Sequence, residues 1–236
     1  MLDLRNVTLL CVDGKENSTS LAGLHKALLV SSADILFGSI KFLSASSFRV
    51  DEKIDFVDID HMTWLEYNDF MLRNLVDYVD TEYVINIQED GFILNPVLWA
   101  PEFLDYDYIG APFSYDLHIG PEAYRYVGAA AAARVRPSVR NKPRSEVNLV
   151  GNGGFSLRSS ALLAATSRCP FENFEGPEDL YIAVNHYGYF VSEGIRFAPH
   201  GLASKFSLNI DMYPDPIEAS AHAFGFHGNN MMIERF

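Results

Sequence analysis

Ile85-Asn-Ile-Gln-Glu-Asp-Gly-Phe92 is an apolar strand that runs directly into two acids and a glycine. A buried strand ending in carboxylates sets them at the rim of a sheet, where open α/β folds hold phosphorylated ligands and their cations. Working back from it, Val7-Thr-Leu-Leu-Cys-Val12 is a continuous apolar run closed by Asp13-Gly14, the pattern of a strand buried on both faces and first in a parallel sheet. Ser18 is placed to cap a helix carrying Leu21, Leu24, Ala27 and Leu28 at helical spacing. Asp34 to Phe37 reads as the next strand, ended by Gly38, with Lys41 to Leu43 as a brief edge element and Phe56 to Ile59 as a further strand. Between Trp64 and Val79, the residues Leu65, Phe70, Met71, Leu72, Leu75 and Val76 describe an amphipathic helix that delivers the chain to a strand over Tyr83 to Ile87. This alternation predicts a doubly wound α/β sheet with ligands beyond the carboxyl ends of its strands, so Asp13 and Asp90 share one edge.

Downstream, Asn95-Pro96 and Trp99 to Phe103 form a turn and a short helix, and Tyr106 to Ile109 reads as an aromatic strand leading into Gly110-Ala-Pro112. Ser114 to Asn148 differs: it holds an alanine run and gathers Arg134, Arg136, Arg140, Lys142 and Arg144, five of the chain's 18 Lys and Arg residues. A loop of this length without regular structure is read as a mobile basic insertion beside the site, the alternative being a solvated linker. Order resumes at Val150 to Arg158, followed by a helix from Ser160 to about Ser167 and another over Glu178 to His186, opened by Pro177 and two acids. The tail from Ala203 shows few helical periods and contains the compact phrase Phe224-Gly-Phe-His-Gly228.

A length of 236 residues with 48% apolar content fits one large α/β domain. The formal charge of -13 argues against a general nucleic-acid binder, which needs surplus Lys and Arg to neutralise phosphates. Cys11 and Cys169 lack any CxxC spacing, so neither a disulfide framework nor a zinc knuckle is indicated. The N-terminus has an acid where a secretion signal would have bases, and no apolar run reaches membrane-spanning length. The expectation is a cytoplasmic protein, with peripheral membrane contact left open.

Four segments carry chemistry. Gln88-Glu89-Asp90 can place a carboxylate on a divalent cation that bridges two phosphates, or it can simply begin a solvated turn. Gly151-Asn-Gly-Gly154 permits close backbone approach of a ligand, and the lack of a following Lys-Ser or Lys-Thr pair excludes a Walker-type loop. Glu178-Asp179 can supply a general base at a helix start, or merely complement the helix dipole. His227 can join a carboxylate in a mixed metal shell, although a lone histidine is more often structural.

Taken in order, Gln88-Glu-Asp-Gly-Phe92, Phe103-Leu-Asp-Tyr-Asp-Tyr-Ile-Gly-Ala-Pro112, Val150-Gly-Asn-Gly-Gly-Phe-Ser-Leu-Arg-Ser159, Glu178-Asp179 and Phe224-Gly-Phe-His-Gly228 resemble a family of bacterial, fungal and viral proteins, a domain of unknown function regarded as glycosyltransferase-like. The resemblance implies a GT-A-type fold: one domain over 1–236, a Rossmann-like doubly wound mixed sheet flanked by helices. Its nucleotide-binding half would be 1–112, a flexible basic insertion 113–149, and the acceptor and catalytic half 150–236. It further implies that Asp90 and His227 hold Mn2+ or Mg2+, and that Asp179 of the Glu178-Asp179 pair is the base of an inverting transfer. Val12, Asp13, Gln88, Glu89, Gly153 and Gly154 would contact the nucleotide-sugar donor, and the acceptor would be a glycan or other hydroxyl. Gln88 departs from the Asp-x-Asp pattern by replacing its first acid. Two other classes remain: a non-catalytic nucleotide-sugar or carbohydrate binder of the same fold, and a metal-dependent phosphoesterase, which needs a denser ligand cluster.

Overall fold

The computed structural model describes residues 1–14, 21–46, 51–112, 150–170, 176–210 and 213–228. Ser18 and the basic segment Arg134 to Arg144 lie outside them.

Strand β1 (Leu2–Asp13) is buried continuously from Val7 to Asp13. Alternate side chains of a strand point to opposite faces, so its residues divide between two cores. Val7, Leu9 and Cys11 pack with Leu24, Ala27 and Leu28 of helix α1 (Leu21–Ser32). Leu10 and Val12 pack with Met71 of helix α2 (Trp64–Arg73) and with Leu163 of helix α3 (Ser160–Arg168). Helices on both faces are why the strand reads as an unbroken apolar run rather than an alternating one.

β2 (Ile35–Ser44), β3 (Asp55–Asp58) and β4 (Tyr83–Asn86) join β1 in parallel, and β5 (Tyr108–Gly110) and β6 (Ser156–Ser159) complete a six-stranded sheet of order β3-β2-β1-β4-β6-β5. β6 runs antiparallel to both its neighbours, with Ser156 opposite Asn86 of β4 and Gly110 of β5. That reversal has a direct consequence for the site. The segment that precedes β6, Gly151 to Gly154, emerges at the same edge where β1, β4 and β5 end. The architecture is therefore mixed α/β in a single domain, a six-stranded sheet covered by helices.

Several expected boundaries move. Gly38 does not end a strand: β2 runs through it, and the register against β1 shifts between Leu4 and Thr8 at that level. A Cβ at Gly38 would overlap the Arg5 carbonyl, so the glycine admits an irregular backbone approach. Lys41 to Leu43 accordingly belongs to the C-terminal part of β2, and β3 is the edge. The helix from Trp64 starts in a capping box between Thr63 and Glu66 but stops at Arg73, and the chain tightens into a 3-10 turn over Leu75–Tyr78. Glu178 to His186 is helical in two registers: α4 (Glu178–Leu180) passes into a π turn over Tyr181–Asn185, where the His186 N–H donates to the Tyr181 carbonyl at 2.8 Å. α5 (Tyr187–Ser192) follows.

The tail is more regular than its periodicity suggests, with α6 (His200–Phe206), β7 (Ser207–Asn209), α7 (Pro216–Ser220) and β8 (Gly225–His227). β7 and β8 pair in parallel as a separate two-stranded sheet. Aromatic packing anchors it: Phe155 stacks on Phe206 at 4.9 Å between centroids, and Phe226 meets Phe92 edge-on at 4.7 Å. The Phe226 and Gly228 N–H groups donate to the carbonyls of Phe92 and Asp90, which brings His227 to the edge of the large sheet. Among the described residues, no helix is long and apolar enough to cross a membrane.

Candidate active site

Four elements meet at the carboxyl edge: the turn after β4, the loop before β6, the start of α4 and the end of β8. Past Asn86 the chain makes a tight reversal in which the Gln88 and Gly91 backbones exchange hydrogen bonds of 2.8 and 3.2 Å. Asp90 sits on this turn, its Oδ2 3.7 Å from His227 Nε2. The other ring nitrogen, Nδ1, lies 3.3 Å from Asn209 Oδ1 on β7. The tautomer that carries its proton on Nδ1 would donate it to Asn209 Oδ1 and turn the Nε2 lone pair toward the carboxylate side, the arrangement that orients a histidine ligand.

Gln88 donates from Nε2 to the Tyr67 hydroxyl on α2 at 3.1 Å, which turns its carbonyl oxygen toward Gly154 and His227. Burial, and next the nearby Glu178 charge, raise the Tyr67 phenol above its ordinary value, so it remains a neutral partner for the amide.

The glycine bend threads between the two acidic groups. A Cβ on Gly154 would overlap His227 Nε2, and one on Gly153 would overlap Glu178 Oε1. The Gly153 N–H donates to Asp179 Oδ2 at 3.0 Å and the Gly154 N–H to Asn152 Oδ1 at 3.0 Å. Side-chain space and amide protons at both glycines are thus taken up inside the protein, and what they provide is a narrow bend with Glu178 and Asp179 against Gly153 and with His227 and Gln88 against Gly154. Gly154→Ala is expected to push the imidazole off Asp90; overpacking of this kind costs about 1–3 kcal/mol. A lowered Tm, measured by thermal shift, checks it.

The Glu178-Asp179 pair splits its tasks. Glu178 is buried at 7% exposure and accepts a 2.7 Å ion-paired hydrogen bond from Arg158 of β6, so its carboxylate is committed to the interior. Asp179 is half-buried, taking the Leu180 N–H on Oδ1 at 2.7 Å as well as Gly153 on Oδ2. Burial first, and the Glu178 charge second, push its carboxyl up to about 7, against the lowering pull of the two backbone donors and Arg158.

Of the other expected donor contacts, Asp13 ends β1 at the same edge and is buried. The Val12 side chain is part of the core beneath α2, leaving its backbone as the part that can face a ligand. Glu89 turns to α1, its Oε2 3.0 Å from the Cβ position of Gly23, and does not join Asp90. Asn86, a polar residue at the end of an otherwise apolar strand, and Arg158, between Leu157 and Ser159 on β6, were not expected as site residues. Asn86 is fully buried and donates to the Gly153 carbonyl at 2.9 Å. Asn209 carries no local signal, because its partner is His227, far along the chain.

Among the described residues, no cluster of three His, Cys, Asp or Glu side chains forms a ready metal cage. The Asp90–His227 pair still fits a divalent cation of the magnesium or manganese type, which is commonly held by one or two protein groups with phosphate oxygens and water completing the shell. A roughly 790 Å³ depression lies elsewhere, lined by Asp58, Asp60, His61, Glu66 and Asp69 around α2. None of the converging groups named above lines it, so its size has no bearing on the chemistry.

Comparison with solved structures finds loose likenesses. The galactosyltransferase LgtC in complex with donor and acceptor sugar analogues superimposes with a TM-score of 0.45 at 13% identity, covering 94% of this chain and 86% of that one. A glycosyltransferase involved in glycosylation of the major capsid of PBCV-1 gives 0.49 at 10% identity, with 97% of each chain covered. Apo mouse xyloside xylosyltransferase 1 gives 0.47 at 14% identity, covering 97% of this chain and 98% of that one. At these values the likeness carries no weight in assigning chemistry. No curated protein matches the sequence. The family profile described as "Protein of unknown function (DUF5672)" matches residues 51–227, well over half of the chain, and the chain belongs to that family.

Proposed function

We propose that this protein transfers a sugar from a nucleoside-diphosphate donor to a hydroxyl acceptor, with inversion at the anomeric carbon. The observation that carries the reading is the meeting of Gln88, Asp90, His227 and Asp179 around the Gly153-Gly154 bend. A lone acid in any one of these segments would be an ordinary turn or cap. Their convergence at the carboxyl edge of the sheet supplies a cation-binding pair and, across two glycines, a carboxylate of raised proton affinity.

Asp90 and His227 Nε2 would hold Mn2+ or Mg2+, which when bound offsets the charge that collects on a departing diphosphate. The Gln88 amide offers a neutral oxygen to the donor, and Asp13 and the Val12 backbone lie on the side of the sheet edge where its nucleoside would rest. Asp179 takes the proton of the acceptor hydroxyl as that oxygen bonds to the anomeric carbon and the bond from this carbon to the phosphate oxygen breaks. The basic segment Arg134 to Arg144 would meet the donor phosphates or an anionic acceptor.

Gln88, neutral where an Asp-x-Asp site carries an acid, favours a second reading: nucleotide-sugar binding without turnover. Thermal shift against a panel of nucleotide sugars, with and without manganese, followed by product analysis, separates the two. Metal-dependent stabilisation by one donor, and a product of inverted configuration, are expected for the transferase. Metal-independent binding with no product from any donor selects the second reading.

A further inference from the structure

Among the described residues Arg158 is the largest fully buried side chain, at 1% exposure, on strand β6. A buried guanidinium is costly unless its partners are in place. Its Nη2 donates to Glu178 Oε1 at 2.7 Å and its Nε to Ser156 Oγ at 3.1 Å. The Ser156 hydroxyl donates in turn to the Gly153 carbonyl at 3.1 Å, and the Gly153 N–H donates to Asp179 Oδ2. Since Asp179 follows Glu178 in the chain, these bonds close a ring around the glycine bend: Arg158, Glu178, Asp179, Gly153, Ser156 and back. Asn68 of α2 fixes the Glu178 end by accepting its N–H at 3.0 Å, and the Arg158 guanidinium lies over the Tyr108 ring at 5.6 Å.

We propose that Arg158 is a positioning residue for the reaction: through Glu178 on one side and Ser156 with the Gly153 peptide on the other, it holds Asp179 in place and balances the charge beside it. The inference rests on the reading of Asp179 as the base. The ionisable groups that bear on Asp179 are Glu178 on its own helix, Arg158 on β6 and Tyr108 on β5, while Tyr67 of α2 faces Glu178. Removing the guanidinium leaves Glu178 unbalanced and Asp179 harder to ionise. Removing both charges takes away the stronger influence, Glu178, and makes Asp179 easier to ionise.

The test compares Arg158→Met, Arg158→Lys and the double variant Arg158→Met/Glu178→Gln, which strands no buried ion and so keeps a folded sample available. In Arg158→Met, kcat falls by about tenfold or more with donor KM little changed, and the acid limb of the pH profile moves to higher pH. Arg158→Lys recovers part of kcat. In the double variant the limb moves the other way. A 13C NMR titration of the aspartate carboxyls, with Asp179 assigned through Asp179→Asn, must show the same two opposite displacements. A folded variant with the wild-type profile, or a loss of rate with an unmoved Asp179 titration, overturns the proposal. Absence of any transfer by the wild-type protein would instead count against the proposed reaction, and the NMR titration would still decide the role of Arg158.

Discussion

Asp179→Asn lowers sugar transfer by about 10²- to 10⁴-fold, the range that a positioned general base contributes, and leaves donor binding nearly intact. The amide keeps the size of the carboxylate, but its single oxygen replaces only one of the two acceptors, so either the Gly153 or the Leu180 N–H loses its partner while the proton acceptor is gone. In the wild type, under the proposed reaction, the carboxyl raised to about 7 is expected to set an acid limb near neutrality, with the rate rising toward pH 8 as Asp179 ionises. The same shift affects stability. A carboxyl whose folded value is raised stabilises the fold fully below the ordinary aspartate value of 3.8, and that contribution is lost as pH rises through about 7. Asp179→Asn removes the titration and one of the two hydrogen bonds, so the Tm of the wild type measured against the variant should fall as pH rises from 4 to 8. A wild type that loses stability relative to a less active variant as pH rises is the pattern of a group held against its own solvation preference. Wild-type rates in folded Asp179→Asn would remove this residue from the mechanism.

The sheet was legible because both faces of β1 are covered, which turns half-buried alternation into the continuous Val7 to Val12 run. The carboxyl edge followed from the same reading, since the acids after Ile87 could only lie where β4 ends. Strand ends and tail helices were less legible for a physical reason: Gly38 looks like a terminator, yet it accommodates close backbone approach within β2. In the tail, α6 and α7 are too short to establish a period and are held by packing of Phe206 and Phe224 instead. At the site, residue types that do chemistry announced themselves as Asp90, Glu178-Asp179 and His227. Which of two neighbouring acids faces outward did not, because it depends on Arg158, whose pairing with Glu178 spans 20 residues of sequence. The glycines were recognised as permitting close approach of a ligand, but what fills the space at their Cβ positions is His227 and Glu178.

Asp90→Ala is expected to cut transfer by about 10³-fold, corresponding to several kcal/mol of charge stabilisation at the leaving diphosphate. His227 Nε2 faces Asp90 Oδ2, and without the carboxylate a single imidazole is a poor site for a hard divalent cation. Asn209→Ala provides the graded counterpart. It removes the hydrogen bond at His227 Nδ1 without touching either ligand, and loss of such outer-shell orientation typically weakens metal affinity by about 10- to 100-fold. Manganese titrations followed by thermal shift, in the presence of a nucleoside diphosphate, should rank wild type above Asn209→Ala and Asn209→Ala above Asp90→Ala. Raising manganese should restore transfer in Asn209→Ala and fail to do so in Asp90→Ala, because weakened affinity is compensated by concentration whereas a missing ligand is not. Equal manganese dependence in all three proteins would place the cation away from Asp90 and His227, whereas no manganese effect in any of them would leave Gln88 as the donor-facing group of a metal-independent site.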